Sequence, residues 1–173
     1  FEEIPPSLHS AYHVDMTREN LESNVVNAYL QKHSIQNVPV DYEPIPPDSF
    51  FEEHKRMHQT IEKISYAYCR LIDEHIDRTT YHGFKYLNSD VHDDLQEKLA
   101  MAVDDAIKYL KDESFLSFDM RWREIIDLRE ETMLNNIYAY CEKKAFGKGL
   151  FLIGSAHRRS MRKRPLPKAF FSQ

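Results

Sequence analysis

The sequence predicts an α/β fold: a small, mostly parallel sheet flanked by helices, with a helical hairpin inserted into it. Three observations predict it. Residues 149–153 form an apolar run bounded by Gly149 and Gly154, the pattern of a short buried strand. At the other end, strand-like residues 1–4, helix-like residues 20–32 and strand-like residues 35–42 follow in the strand, helix, strand order of a parallel unit. Between these regions, residues 48–118 carry two long apolar stripes at helical spacing. A chain of 173 residues suits one domain with a real core, so residues 1–173 read as a single domain with 48–118 inserted into it.

Taken in order, residues 1–4 read as the tail of a strand cut off by Pro5 and Pro6. In the next segment Asn20 can cap a helix whose Leu21, Val25, Ala28 and Tyr29 share a face. Residues 35–42 read as a strand that Pro39 confines to an edge or a strand start. Pro44, Pro46 and Pro47 then break the chain, and Asp48 or Ser49 can cap the next helix. Phe50, Met57, Ile61, Ile64, Tyr68, Leu71 and His75 recur at steps of three and four, which predicts one long helix. A polar link over 78–88 leads to a second helix capped by Ser89 or Asp90, with the stripe Val91, Leu95, Leu99, Ala102, Ala106, Ile107 and Leu110. A third helix is predicted over 119–144 from Trp122, Ile126, Met133, Ile137 and Tyr140, and Gly147 ends it. The strand at 149–153 comes next, and a short helix at 159–164 is stopped by Pro165 and Pro167.

Arg129 falls in phase with Ile126 and Met133, in the middle of the third helix's apolar face. Such an arginine either has a buried carboxylate partner or extends its guanidinium to the edge of the stripe. The charge distribution is lopsided. All 28 acidic residues precede Lys143, whereas nine of the 23 basic residues follow Glu142, so the first 142 residues carry −14. The basic end therefore either pairs with the acidic helices of its own domain or meets a phosphorylated ligand or nucleic acid. The absence of a nucleic-acid motif or of aromatic interleaving argues against nucleic acid. No apolar run is long enough to span a membrane. Cys69 and Cys141 read as buried free thiols, which places the chain in a reducing, cytoplasmic setting.

For chemistry, His157 is the leading candidate, because a histidine at the carboxyl end of a strand can bind metal or exchange protons near neutral pH. Glu3 or Glu2, at the end of another predicted strand, would share that sheet edge. His54 and His58 have the i, i+4 spacing of a helical metal pair, yet lie among Glu52, Glu53, Lys55 and Arg56 and read as a solvated face. Nucleophile-elbow, phosphate-loop and zinc-helix motifs are all missing.

The motif Gly154-Ser155-Ala156-His157, preceded by an apolar run and by a helix with Arg129 ahead of Glu130, resembles the TraB/Tiki superfamily, which is related in fold to the erythromycin-esterase and ChaN-like proteins. Members are similar in having two Gly-x-x-His motifs, a glutamate ending an early strand and an arginine on the helix before the second motif. The match implies His157 for the second motif, Arg129 for the arginine and Glu3 for the glutamate, with Glu2 the next choice. The first Gly-x-x-His motif is expected upstream of Phe1, the sequence opening on a residue other than methionine. The resemblance implies a metal-assisted hydrolase of peptides or esters. In it His157 and Glu3 would be ligands to a divalent metal or acid/base groups, and Arg129 would neutralise Glu3 or hold an oxyanion. The competing expectation is a binding protein without catalysis, holding a peptide or small anionic ligand, with Arg158 and Arg159 supplying positive charge.

Overall fold

A computed structural model describes residues 32, 36, 38–44, 46–144 and 149–164. In order, the helices are α1 (Asp48–Ile64), α2 (Tyr66–Leu87), α3 (Asp90–Leu110), α4 (Glu113–Lys143) and, after a 3-10 turn at Ser155–His157, α5 (Arg158–Lys163). Among the described residues there is no strand, so the predicted α/β fold with a parallel sheet is overturned in favour of an all-helical architecture.

The two strand predictions that fall on described residues fail for physical reasons. Residues 149–153 are apolar, but Leu150 is 83% exposed and Leu152 42%, so the run is not buried as a sheet strand would be. A short apolar run with glycines at its ends specifies neither a pairing partner nor a period. Among the described residues of 35–42, backbone groups that a sheet would pair are taken by side chains at Val40 and Tyr42. Asn136 Nδ2 donates to the Val40 carbonyl at 3.0 Å, Asp41 Oδ1 accepts from the Tyr42 N–H at 2.7 Å, and Pro39 has no N–H to offer. The predicted strand at 1–4, with Glu2 and Glu3, lies outside the described residues, as does the predicted helix at 20–32 apart from Lys32.

The predicted long helix is two helices, divided at Ser65. This residue is extended (φ −113°, ψ 98°), closes α1 through its N–H to the Ile61 carbonyl at 2.9 Å, and caps α2 by accepting from the Tyr68 N–H at 3.2 Å. The apolar stripe continues in phase across the break, so periodicity alone could not reveal it. Residues 78–87, expected to be a polar link, are helical. The chain bends there at Gly83, whose φ of 50° and ψ of −132° are open to glycine at little cost. Ser89 caps α3, its Oγ accepting from the His92 N–H at 3.2 Å, and α3 ends at Lys111 in the left-handed conformation. Asp112 starts α4 six residues earlier than predicted, accepting from the N–H groups of Ser114 (2.8 Å) and Phe115 (3.4 Å).

The chain divides into two compact units, Phe1–Ile45 with Leu128–Ile153 and Pro46–Asp127 with Gly154–Gln173. The second unit holds the hydrophobic core: Met57 and Ile61 of α1, Tyr68 of α2, Leu95, Leu99, Ala102, Val103, Ala106 and Ile107 of α3, and Phe115 and Phe118 of α4. Of the predicted α3 stripe only Val91 is exposed, at 50%, and the adjacent His92 is buried in its stead. In the first unit Val40, Asp41, Glu130 and Met133 are buried.

Candidate functional site

The predicted site residues divide between the two units. In the first, the structure gives Arg129 the first of its two expected settings, a buried carboxylate partner, which is Asp41: Nη2 donates to Asp41 Oδ2 at 2.8 Å and Nε to Oδ1 at 3.2 Å. This two-point contact is the strong form of an arginine–carboxylate pair. Glu3, the partner implied by the family resemblance, lies outside the described residues.

In the second unit His157 ends the 3-10 turn and is buried, its N–H donating to the Gly154 carbonyl at 3.1 Å. The arginines that follow it lie along the acidic first turns of α3. Arg158 Nη1 donates to Asp93 Oδ2 and to the Ser89 carbonyl (3.1 Å), and Nη2 to Asp90 Oδ1 (3.3 Å). Arg159 Nη1 reaches Glu97 Oε2 at 2.6 Å and the Asp93 carbonyl at 3.3 Å, while Arg162 Nη1 reaches Asp90 Oδ1 at 2.7 Å. Hydrogen bonds from Arg162 and then Arg158 hold the Asp90 carboxyl below its usual range. Asp93 likewise raises the Arg158 guanidinium above its ordinary value. Three guanidinium groups face three carboxylates, so these arginines of the basic end pair with the acidic first turns of α3.

Under this clamp lies a cluster that sequence reasoning missed. Tyr86 folds back onto His75, with its hydroxyl 3.3 Å from His75 Nδ1. Eleven residues along a straight helix are about 16 Å apart, too far for that contact, so the bend at Gly83 creates it. His92 packs against both rings, 5.5 Å from His75 and edge-on to Tyr86 at 5.3 Å. Burial, then His75, lowers the pKa of His92 and keeps its ring neutral at pH 7. The Gln96 amide donates to His92 Nε2 at 3.3 Å, which places the ring proton on Nδ1. That Nδ1 and the neighbouring Asp93 Oδ1 are buried, make no hydrogen bond, and lie 3.9 Å apart. A donor and an acceptor thus stand side by side, both unmatched, where buried polar groups are normally paired. The signal in the sequence was phase: His92 is i−3 from Leu95 and i−7 from Leu99, on the buried face.

Among the described residues no group of three or more histidines, cysteines, aspartates or glutamates is placed to hold a metal ion, and no helix is long and apolar enough to cross a membrane. Over the described residues the chain is thus helical, with a buried polar cluster held beside ion pairs. No protein-family model, curated protein or solved structure matches it.

Proposed function

We propose that the chain is a binding protein for a small molecule or peptide side chain that offers a neutral hydroxyl or carboxamide to His92 and Asp93. The observation behind this reading is the unmatched pair, His92 Nδ1–H and Asp93 Oδ1. One hydroxyl oxygen about 2.8 Å from each atom would subtend an angle near 90° across their 3.9 Å separation, so a single group can satisfy both. A neutral ligand is favoured over the anion first expected, because Asp90, Asp93 and Glu97 already engage the guanidinium groups of Arg158 and Arg159. Strong discrimination results from such a site, since a compound without the hydroxyl or amide leaves both buried atoms unpaired.

The test is a thermal-shift panel of N-acetylserinamide, acetamide, acetate and phosphate against the wild-type chain and His92→Phe. At a hundredfold excess over Kd, a ligand of the folded state adds about 2.7 kcal/mol, or roughly 5–10 °C for a chain of this size. A neutral compound should raise the wild-type Tm and leave the variant unmoved. A rise with phosphate alone, or an equal rise in the variant, would defeat the reading. Turnover of an ester or peptide by wild type, lost in His157→Ala, would put hydrolysis in its place.

A further inference from the structure

The pair His54 and His58 is not on a solvated face, as its charged neighbours suggested. Both rings are half-buried among aromatic side chains of α1, α2 and α4. His54 stacks on Trp122 with ring centres 3.7 Å apart and planes 19° from parallel, and the two imidazoles lie 4.2 Å centre to centre. Their Nε2 atoms are 3.0 Å apart, one donating to the other, and His58 Nδ1 is 2.8 Å from the Tyr68 hydroxyl.

We infer that His54 and His58 chelate a divalent late transition-metal ion, Cu2+ before others, through their Nε2 atoms, with Tyr68 holding His58 in the ligating tautomer. The spacing carries the inference. With metal–nitrogen bonds of about 2.0–2.1 Å, two nitrogens 3.0 Å apart subtend an angle of about 95° at the ion. That suits the cis positions of a tetragonal Cu2+ or Ni2+ centre, whereas tetrahedral zinc would need a separation of about 3.3 Å or more.

The second support is the hydrogen bond at the far side of the ring. When His58 Nδ1–H donates to the Tyr68 hydroxyl, Nε2 is left unprotonated and aimed at the ion, the arrangement that ligating histidines commonly use. With His58 in that tautomer the shared proton belongs to His54, and binding moves it from Nε2 to Nδ1 of His54, a change of tautomer that releases no proton. Among the described residues no third histidine, cysteine or carboxylate completes the set, so solvent takes the remaining positions. The site lies on α1, α2 and α4, apart from the His92–Asp93 cluster.

Trp122 is the chain's one tryptophan and stacks on a proposed ligand, which makes it a built-in reporter. The experiment is a fluorescence titration of chelator-treated full chain with copper sulfate, nickel sulfate and zinc sulfate at pH 7. Expected is quenching that saturates at one equivalent of copper, with affinity falling from copper to nickel to zinc. His54→Gln and His58→Gln should each abolish that phase, and Tyr68→Phe should weaken binding about tenfold. Quenching unchanged in both glutamine variants, or no saturation near one equivalent, overturns the proposal. Should a variant fail to fold by circular dichroism, the electron paramagnetic resonance spectrum of copper-loaded wild type decides. Nitrogen coupling from two equatorial imidazoles supports the chelate, and a spectrum without it refutes it.

Discussion

Removing the Arg158 side chain should destabilise the chain far more than removing its neighbour. Arg158 is 19% exposed at the side chain and holds Asp93, whose side chain is 9% exposed, while Arg159 holds Glu97, 54% exposed. Truncating one partner of a buried pair costs about 3–5 kcal/mol because the other charge is left without compensation. Arg162 stands 3.7 Å from Asp93 and takes up part of the loss, so Arg158→Ala should cost about 3 kcal/mol, near the low end of that range. The exposed Arg159–Glu97 pair is worth less than about 1 kcal/mol. The assay is urea unfolding with parallel thermal melts, in which Arg158→Ala loses about 6–12 °C and Arg159→Ala hardly moves. The double variant Arg158→Ala/Asp93→Ala should be no less stable than Arg158→Ala alone, since it also removes the stranded charge. Equal, small losses from Arg158→Ala and Arg159→Ala would refute the clamp.

Burial depresses His54 in the folded chain to about 4 from 6.5, so the unfolded chain binds more protons between those values and stability falls as pH drops from 6.5 towards 4. His54→Phe, which keeps a ring against Trp122, should flatten that part of a stability–pH profile, and an unchanged slope would contradict the assignment. Gly83→Ala meets no atom within 4 Å but must hold φ at +50°, at a cost of about 1–3 kcal/mol. Denaturant melts measure that loss, and the His75 ring signals should shift as Tyr86 is displaced. Breaking Arg129–Asp41 by Asp41→Asn should cost about 2–4 kcal/mol given the carboxylate's burial, with a coupling energy in the Arg129→Met double cycle that an exposed pair would lack.

The helices were largely legible, because a stripe such as Leu95, Leu99, Ala102, Ala106 and Ile107 states both period and buried face. A cap at Ser89 or Asp90 followed from their chemistry, and the structure uses Ser89. The division at Ser65 was hidden because both helices keep one phase through it, and the helical stretch to Leu87 because Gly83 and its polar neighbours resemble a linker. The strand readings at 35–42 and 149–153 failed at the level where sequence is weakest. Whether an apolar run such as Leu150–Ile153 pairs depends on a partner strand that local pattern does not specify. Arg129's place within the apolar stripe was legible, but neither that it meets a carboxylate nor that Asp41 supplies it was, since 88 residues separate the two. His92 was overlooked because the apolar Val91 beside it competed for the same stripe, and burial chose the histidine.

The most direct test of the proposed binding role is the nitrogen-15 spectrum of the His92 ring at pH 7, with and without N-acetylserinamide. The neutral tautomer with its proton on Nδ1 is expected, and the Nδ1 signal should move on adding the ligand while Nε2, held by Gln96, stays nearly fixed. A protonated ring at pH 7, or an Nδ1 signal indifferent to every neutral hydroxyl and amide compound tried, would contradict it.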